Sequence, residues 1–150
     1  MLDRSLPELL LSDGQIRALH QAYQGSSTAV ERQVNFQRMF EAVIGKWVDG
    51  GITLPDVESW SGFCSRVHQG LTHIISTSER GHQVAIFCSA GPISVAVQRA
   101  LNLSQQDTLR VAWMVRNCSY SEFLYSGERF SLSTFNSYPH LDEDSLLTYR

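Results

Sequence analysis

Apolar residues recur with a helical period in two long stretches. Phe36, Met39, Phe40, Val43, Ile44, Trp47 and Val48 fall at the i, i+3, i+4, i+7 spacing of one buried face, and Asp49-Gly50-Gly51 ends the segment. Trp60, Phe63, Val67, Leu71, Ile74 and Ile75 form a second stripe, on a helix that Pro55-Asp56 would open and Gly81 would stop. Upstream, Asp13 is placed to cap a helix running to about Gln24, which Gly25-Ser26-Ser27-Thr28 breaks. Residues 1–11 are apolar without a clean period and read as a loop or a short strand remnant.

The pattern changes at residue 84. Val84-Ala85-Ile86-Phe87-Cys88 is a continuous apolar run, the signature of a strand buried on both faces. Ser89-Ala90-Gly91 follows as a tight turn. Pro92 suits the first position of a helix, which carries Ile93, Val95, Ala96, Val97, Ala100 and Leu101 and ends near Asn102. Strand, small-residue turn and helix make an α/β unit. Residues 109–114 and 119–125 read as strands, Ser126-Gly127 as a turn, and residues 130–135 as the returning hairpin partner. Tyr138-Pro139 breaks that strand, and the last ten residues read as a polar tail. There is no internal repeat.

Composition narrows the function classes. One domain, residues 1–150, is expected from the length. With 43% hydrophobic and 18% charged residues, the chain has a globular balance. A net charge of −3, with Lys46 the only lysine among 12 basic residues, argues against nucleic acid or an anionic membrane as partner. No stretch approaches a membrane span, and the N-terminus lacks the pattern of a secretory signal. Cys64, Cys88 and Cys118 are odd in number and show no CxxC spacing, so reduced thiols and a cytoplasmic location are expected. His68 and His73 are five apart and miss the i, i+4 face of a helical metal pair. Asp142, Glu143 and Asp144 read as solvated charges, Cys88 as inert packing, and no metal or cofactor is expected.

Four pieces, in order, resemble the histidine phosphatase superfamily, the phosphoglycerate-mutase-like group. They are the helix with Trp60, Phe63, Arg66 and Val67; the run and turn over residues 84–92; Arg116-Asn117-Cys118-Ser119; and Asn136-Ser137-Tyr138-Pro139-His140-Leu141. The resemblance implies a three-layer α/β/α fold with a mostly parallel mixed sheet. It also implies a catalytic pocket built from an Arg-His-Gly nucleophile motif, a second arginine, a middle carboxylate and a Ser-His-Gly turn. Two arginines and two histidines then neutralise charge as phosphoryl transfer proceeds.

Set against that pattern, the chain holds no Arg-His-Gly, and Ala90 stands where the turn's histidine would be. A methyl group neither donates to phosphate nor moves a proton. Glu8 is the candidate for the middle carboxylate, with Leu10 or Leu11 as alternative alignments. The expected domain is therefore N-terminally incomplete, with a central strand missing and no catalytic residue of its own. Ser89, Ala90 and Gly91 remain as the remnant of a phosphate turn, though a turn of purely structural purpose is favoured. Three readings stay open: a piece of a phosphomonoesterase or mutase, a pseudo-phosphatase kept for binding, and an interaction protein reusing the fold. A phosphorylated small molecule is the ligand class implied. The unpaired run at residues 84–88 is expected to find the segment 2–11, a second copy of the chain or another polypeptide as its strand partner.

Overall fold

A computed structural model describes residues 2–79, 81–127 and 129–149, with the side chains of residues 2–4 and 144 left aside. Among these residues the chain forms six α-helices and one two-stranded antiparallel sheet, so it is an α/β chain. It divides into two compact units, Met1–Gly62 and Phe63–Arg150. No helix among the described residues is long and apolar enough to cross a membrane.

The first unit is helical: α1 (Leu2–Ser12), α2 (Gly14–Gln24) and α3 (Ala29–Val48). The expectation of a loop at residues 1–11 is corrected here. Leu6, Leu9 and Leu10 lie at i, i+3 and i+4, and Leu9 packs into a core with Ile16, Val43 and Ile52. That burial outweighs the cost of Pro7 inside the helix. Arg17 closes the end of α1 by donating from Nε to the Leu10 carbonyl and from Nη2 to the Leu11 carbonyl, both at 2.7 Å.

Asp13 caps α2 as its sequence position predicts, accepting from the amides of Gln15 and Ile16 at 2.9 and 3.0 Å. Its second oxygen lies 2.9 Å from the Lys46 ammonium on α3. One carboxylate thus starts a helix and fastens it to another. On α3 the expected apolar stripe is present: Met39, Val43 and Val48 are buried, while Phe36 remains exposed. Thr28 caps this helix by accepting from the Glu31 amide. The Trp47 and Trp60 rings meet edge to face at 5.2 Å.

Helix α4 (Trp60–Thr77) begins five residues later than Pro55-Asp56 suggested. A turn closed by the Val57 amide on the Leu54 carbonyl occupies that stretch, and the Ser59 hydroxyl accepts from the Gly62 amide at the new start.

The second unit continues with α5 (Ala90–Leu101), α6 (Gln105–Met114), and the hairpin β1 (Tyr120–Ser126) and β2 (Arg129–Ser137). α5 buries four consecutive residues, Ser94 to Val97, as a helix covered on most sides does. Asn102 ends it in the left-handed region at φ 54°, as an asparagine tolerates. Arg99 ties α5 to α4 by donating to the Thr72 hydroxyl at 3.0 Å and the His68 carbonyl at 3.5 Å. Its guanidinium also lies 5.1 Å from the centre of the Phe130 ring on β2, and Phe130 stacks on Phe123 of β1 at 4.9 Å.

Two expectations for this unit are corrected. Residues 109–114 are helical: Ser104 accepts from the Asp107 amide and donates to its carboxylate, which nucleates α6 upstream of the β-branched and aromatic residues that suggested a strand. Residues 84–88 form no strand, and Cys88 is exposed. The sheet is antiparallel with Phe123 opposite Leu132 and Ser126 opposite Arg129, and no parallel pair occurs among the described residues. A parallel ladder at residues 84–88 needs a neighbouring strand, and among the described residues none pairs with them. The hairpin itself falls within one or two residues of its expected place, turning where Gly127 takes φ 58°.

The tail is docked. Tyr149 bridges Arg116, and the Asn117 amide donates to the Thr148 carbonyl at 2.9 Å.

The Asp13 arrangement yields a prediction. The Lys46 ammonium, then the Ile16 amide, hold the Asp13 carboxyl below its ordinary pKa of 3.8. A folded pKa below the unfolded one contributes stability above the unfolded value and loses it as pH falls through the folded value. Asp13→Asn keeps a cap but loses the ion pair; Asp13→Ala loses both. Urea midpoints at neutral pH should rank wild type, Asn, Ala, and the wild-type advantage over Asn should vanish in acid. Equal midpoints for the two variants would contradict the cap.

Candidate functional site

Ser89, Ala90 and Gly91 lie at the start of α5. Ser89 is the residue before the helix, in an extended conformation (φ −87°, ψ 175°), and its hydroxyl makes no capping hydrogen bond. Ala90 is the first helical residue and is half-buried. Gly91 follows for a packing reason: a Cβ there would meet Cζ of Phe63 on α4 at 3.2 Å.

Pro92 is the third helical residue, two further in than the sequence suggested, and still within the first turn, where amides lack helical acceptors. It has no N–H to give. The Ile93 amide already reaches the Ser89 carbonyl at 3.5 Å. Only the amides of Ala90 and Gly91 remain for an anion, with the helix dipole behind them. A histidine at residue 90 would add the donor that alanine lacks.

Glu8 sits exposed on α1, in the other compact unit. It lines a cleft of about 70 Å³ with Ser5, Leu9, Ser12, Gly51, Ile52, Thr53 and Leu54. Ligand pockets are several times larger, about 300–1,000 Å³. Of the alternatives, Leu10 is half-buried and Leu11 is 82% exposed.

Desolvation pushes the Cys88 thiol pKa up, which makes it a poor nucleophile. Arg66 lies 5.3 Å from the centre of the Phe63 ring. His140 bonds the Cys118 carbonyl through Nε2 at 2.9 Å. Among the described residues no group of three or more His, Cys, Asp or Glu is placed to hold a metal ion.

The last two resembling pieces touch each other. Asn136, at φ 55°, accepts from the Arg116 amide at 2.9 Å and donates to the Met114 carbonyl at 2.8 Å. One side-chain amide therefore closes the end of α6 and fixes the strand that follows. The Arg116 guanidinium lies 4.0 Å from the Tyr138 ring centre and donates to the Tyr149 hydroxyl at 2.8 Å. Nothing in the spacing of these residues along the chain shows this clasp; its only signals are Arg116 and Tyr138 within the motif pieces and Tyr149 beyond them.

His68 is the histidine whose environment matters most. Its Nε2 is buried without a hydrogen-bond partner, and burial, then the Arg99 charge, lower its pKa below the ordinary 6.5. The neutral ring is the folded form, so its stabilising share is present above about pH 6.5 and is lost as pH falls through the folded value. His68→Leu should flatten the acid side of the thermal-stability profile; an unchanged slope between neutral pH and pH 5 would refute this. A comparison of caps tests the turn. Ser89→Ala should change stability by less than about 0.5 kcal/mol, whereas Ser104→Ala should cost about 1 kcal/mol in urea unfolding.

Comparison with known protein families matches the chain to the histidine phosphatase superfamily (branch 1) over residues 19–138. The match begins well before the α4 stripe and ends at Tyr138, so it takes in α5, α6 and the hairpin along with most of the first unit. No curated protein and no solved structure is matched. The match covers about four-fifths of the chain, and the chain belongs to the histidine phosphatase superfamily.

Proposed function

We propose that residues 1–150 are a histidine-phosphatase-type domain without catalytic power of its own. The observation that carries this reading is the absence of Arg-His-Gly from the chain, together with Ala90 at the turn where the second histidine would stand. The parent activity is phosphomonoester hydrolysis or phosphoryl transfer. Both need a nucleophile to accept phosphorus and cationic groups to neutralise the charge that develops. The two open amides at Ala90 and Gly91 supply neither.

In this reading the three-layer architecture with a mostly parallel sheet belongs to an assembly in which residues 84–88 have a strand partner. A cytoplasmic location suits three cysteines that all remain free thiols. The second reading is a pseudo-phosphatase that binds without turning over, with a phosphorylated small molecule as ligand class. Ala90 favours it, because a methyl at that position removes proton transfer while leaving the turn's amides in place.

The 150-residue chain should show no hydrolysis of a generic aryl phosphate above the buffer rate, and Ala90→His alone should not create any. The assay is release of the aryl alcohol from a preparation verified by mass. Activity that persists through further purification and is unaffected by Ser89→Ala would overturn the reading.

A further inference from the structure

The Arg116 side chain is half-buried and has no carboxylate in ion-pair range among the described residues. Its Nε donates to a neutral oxygen, the Tyr149 hydroxyl, at 2.8 Å, and its Nη1 is buried with no acceptor. The rings of Tyr138 and Tyr149 lie with their centres 4.0 and 5.3 Å from the guanidinium carbon. Aromatic faces stabilise a cation, but they do not replace acceptors for its N–H groups. An oxyanion would do so, and its charge-assisted bonds are roughly twice as strong as those to a neutral acceptor.

Two segments hold this guanidinium, unequally. The first is fixed by the fold. The Arg116 amide donates to Oδ1 of Asn136, whose Nδ2 closes α6 on the Met114 carbonyl, and Tyr138 follows directly after β2. The second is the segment 146–149. It is fastened by the Asn117 amide on the Thr148 carbonyl, by Asn117 Nδ2 on the Thr148 hydroxyl, both at 2.9 Å, and by the Tyr149 hydroxyl on Arg116. Leu146 and Tyr149 stay 48% and 55% exposed, so this docking rests on polar contacts. Such contacts exchange with water at small net gain, and segments held by them open readily.

We propose that Arg116 is an oxyanion-binding residue and that Thr148-Tyr149 is a strap that occupies its place until an anion displaces it. In the closed form the phenol hydroxyl stands at Nε where an anion oxygen would stand. An entering oxyanion takes over Nε and gives Nη1 its missing acceptor, while the Tyr138 ring keeps the guanidinium oriented. The ligand class is a small oxyanion with two or more acceptor oxygens, carried on a phosphate monoester or a carboxylate. Arg116 lies outside the Ser89-Ala90-Gly91 turn, so the inference stands or falls apart from the catalytic reading.

Calorimetric titration of the full chain with inorganic phosphate should give a Kd on the order of millimolar. Acetate titrated in the same way separates the two sources: tighter phosphate points to a phosphate monoester, equal or tighter acetate to a carboxylate. Arg116→Gln should weaken binding by about tenfold or more, and Tyr149→Phe, which keeps the ring and removes the competing oxygen, should tighten it by about threefold. Saturating phosphate should speed hydrogen exchange at the Asn117 amide, whose acceptor is on the strap. Ala90→Asp, which sets a carboxylate at the α5 turn, should leave binding unchanged. Neither anion binding more tightly than chloride would overturn the proposal. Unchanged affinity in Tyr149→Phe, or an Asn117 amide that exchanges no faster with phosphate, would overturn the strap. Binding lost in Ala90→Asp and kept in Arg116→Gln would move the anion to the α5 turn and overturn the assignment to Arg116. Should Arg116→Gln fail to fold, the Tyr149→Phe affinity and the Asn117 exchange decide alone.

Discussion

Arg99 reaches from α5 to the Thr72 hydroxyl and the His68 carbonyl on α4, and the same guanidinium lies against the Phe130 ring of β2. Three elements of the second unit are held by one planar cation, whose donors and face are used at once. The consequences reach outward from there. His68 sits beside a permanent charge with its Nε2 buried, so it is held neutral. Phe130 is fixed against Phe123, which sets how the two strands stack their aromatic residues. α5 is thereby placed with its N-terminal turn beside Phe63, and that contact explains Gly91 without reference to any ligand.

Much of this was legible in the sequence where a local signal and a burial pattern agreed. Asp13 before a helix, the stripe from Met39 to Val48, Asn102 after Leu101, and the hairpin around Gly127 are all of that kind. The failures came where the two signals disagreed. Pro7 and the irregular leucines hid α1, whose stability comes from Ile16, Val43 and Ile52, residues distant in sequence. Val111 and Trp113 suggested a strand, although the Ser104-to-Asp107 capping pair had already committed the chain to a helix. Residues 84–88 have the composition of an internal strand. A strand also requires a neighbour, and that requirement is not written in the segment's own residues.

The site was legible as a deficit. Ser89, Ala90 and Gly91 could be placed at a helix start from the sequence, and they are there. What the sequence did not reveal is how little the turn offers once formed. Pro92 removes one amide, the Ile93 amide is turned back on Ser89, and the serine hydroxyl leaves the helix uncapped. Glu8, the weakest assignment, lies on α1 beside a cleft with room for little more than a few water molecules. Membership of a phosphatase superfamily and a turn with two open amides coexist here, because the fold and the reactive groups are separable properties of a chain.

Lys46 carries the only side-chain amine in the sequence, and it is spent on the carboxylate that caps α2. Amine-directed chemistry on side chains therefore converges on one structural atom, Nζ of Lys46, whose side chain is 45% exposed. Acylation there, by a cross-linker, a dye or an acyl-transferring enzyme, would erase a positive charge from the last turn of α3 and strip Asp13 of its counter-ion. Labels attached this way would report on a first unit already loosened by the label. The thiol of Cys118, which is exposed, is the less intrusive handle.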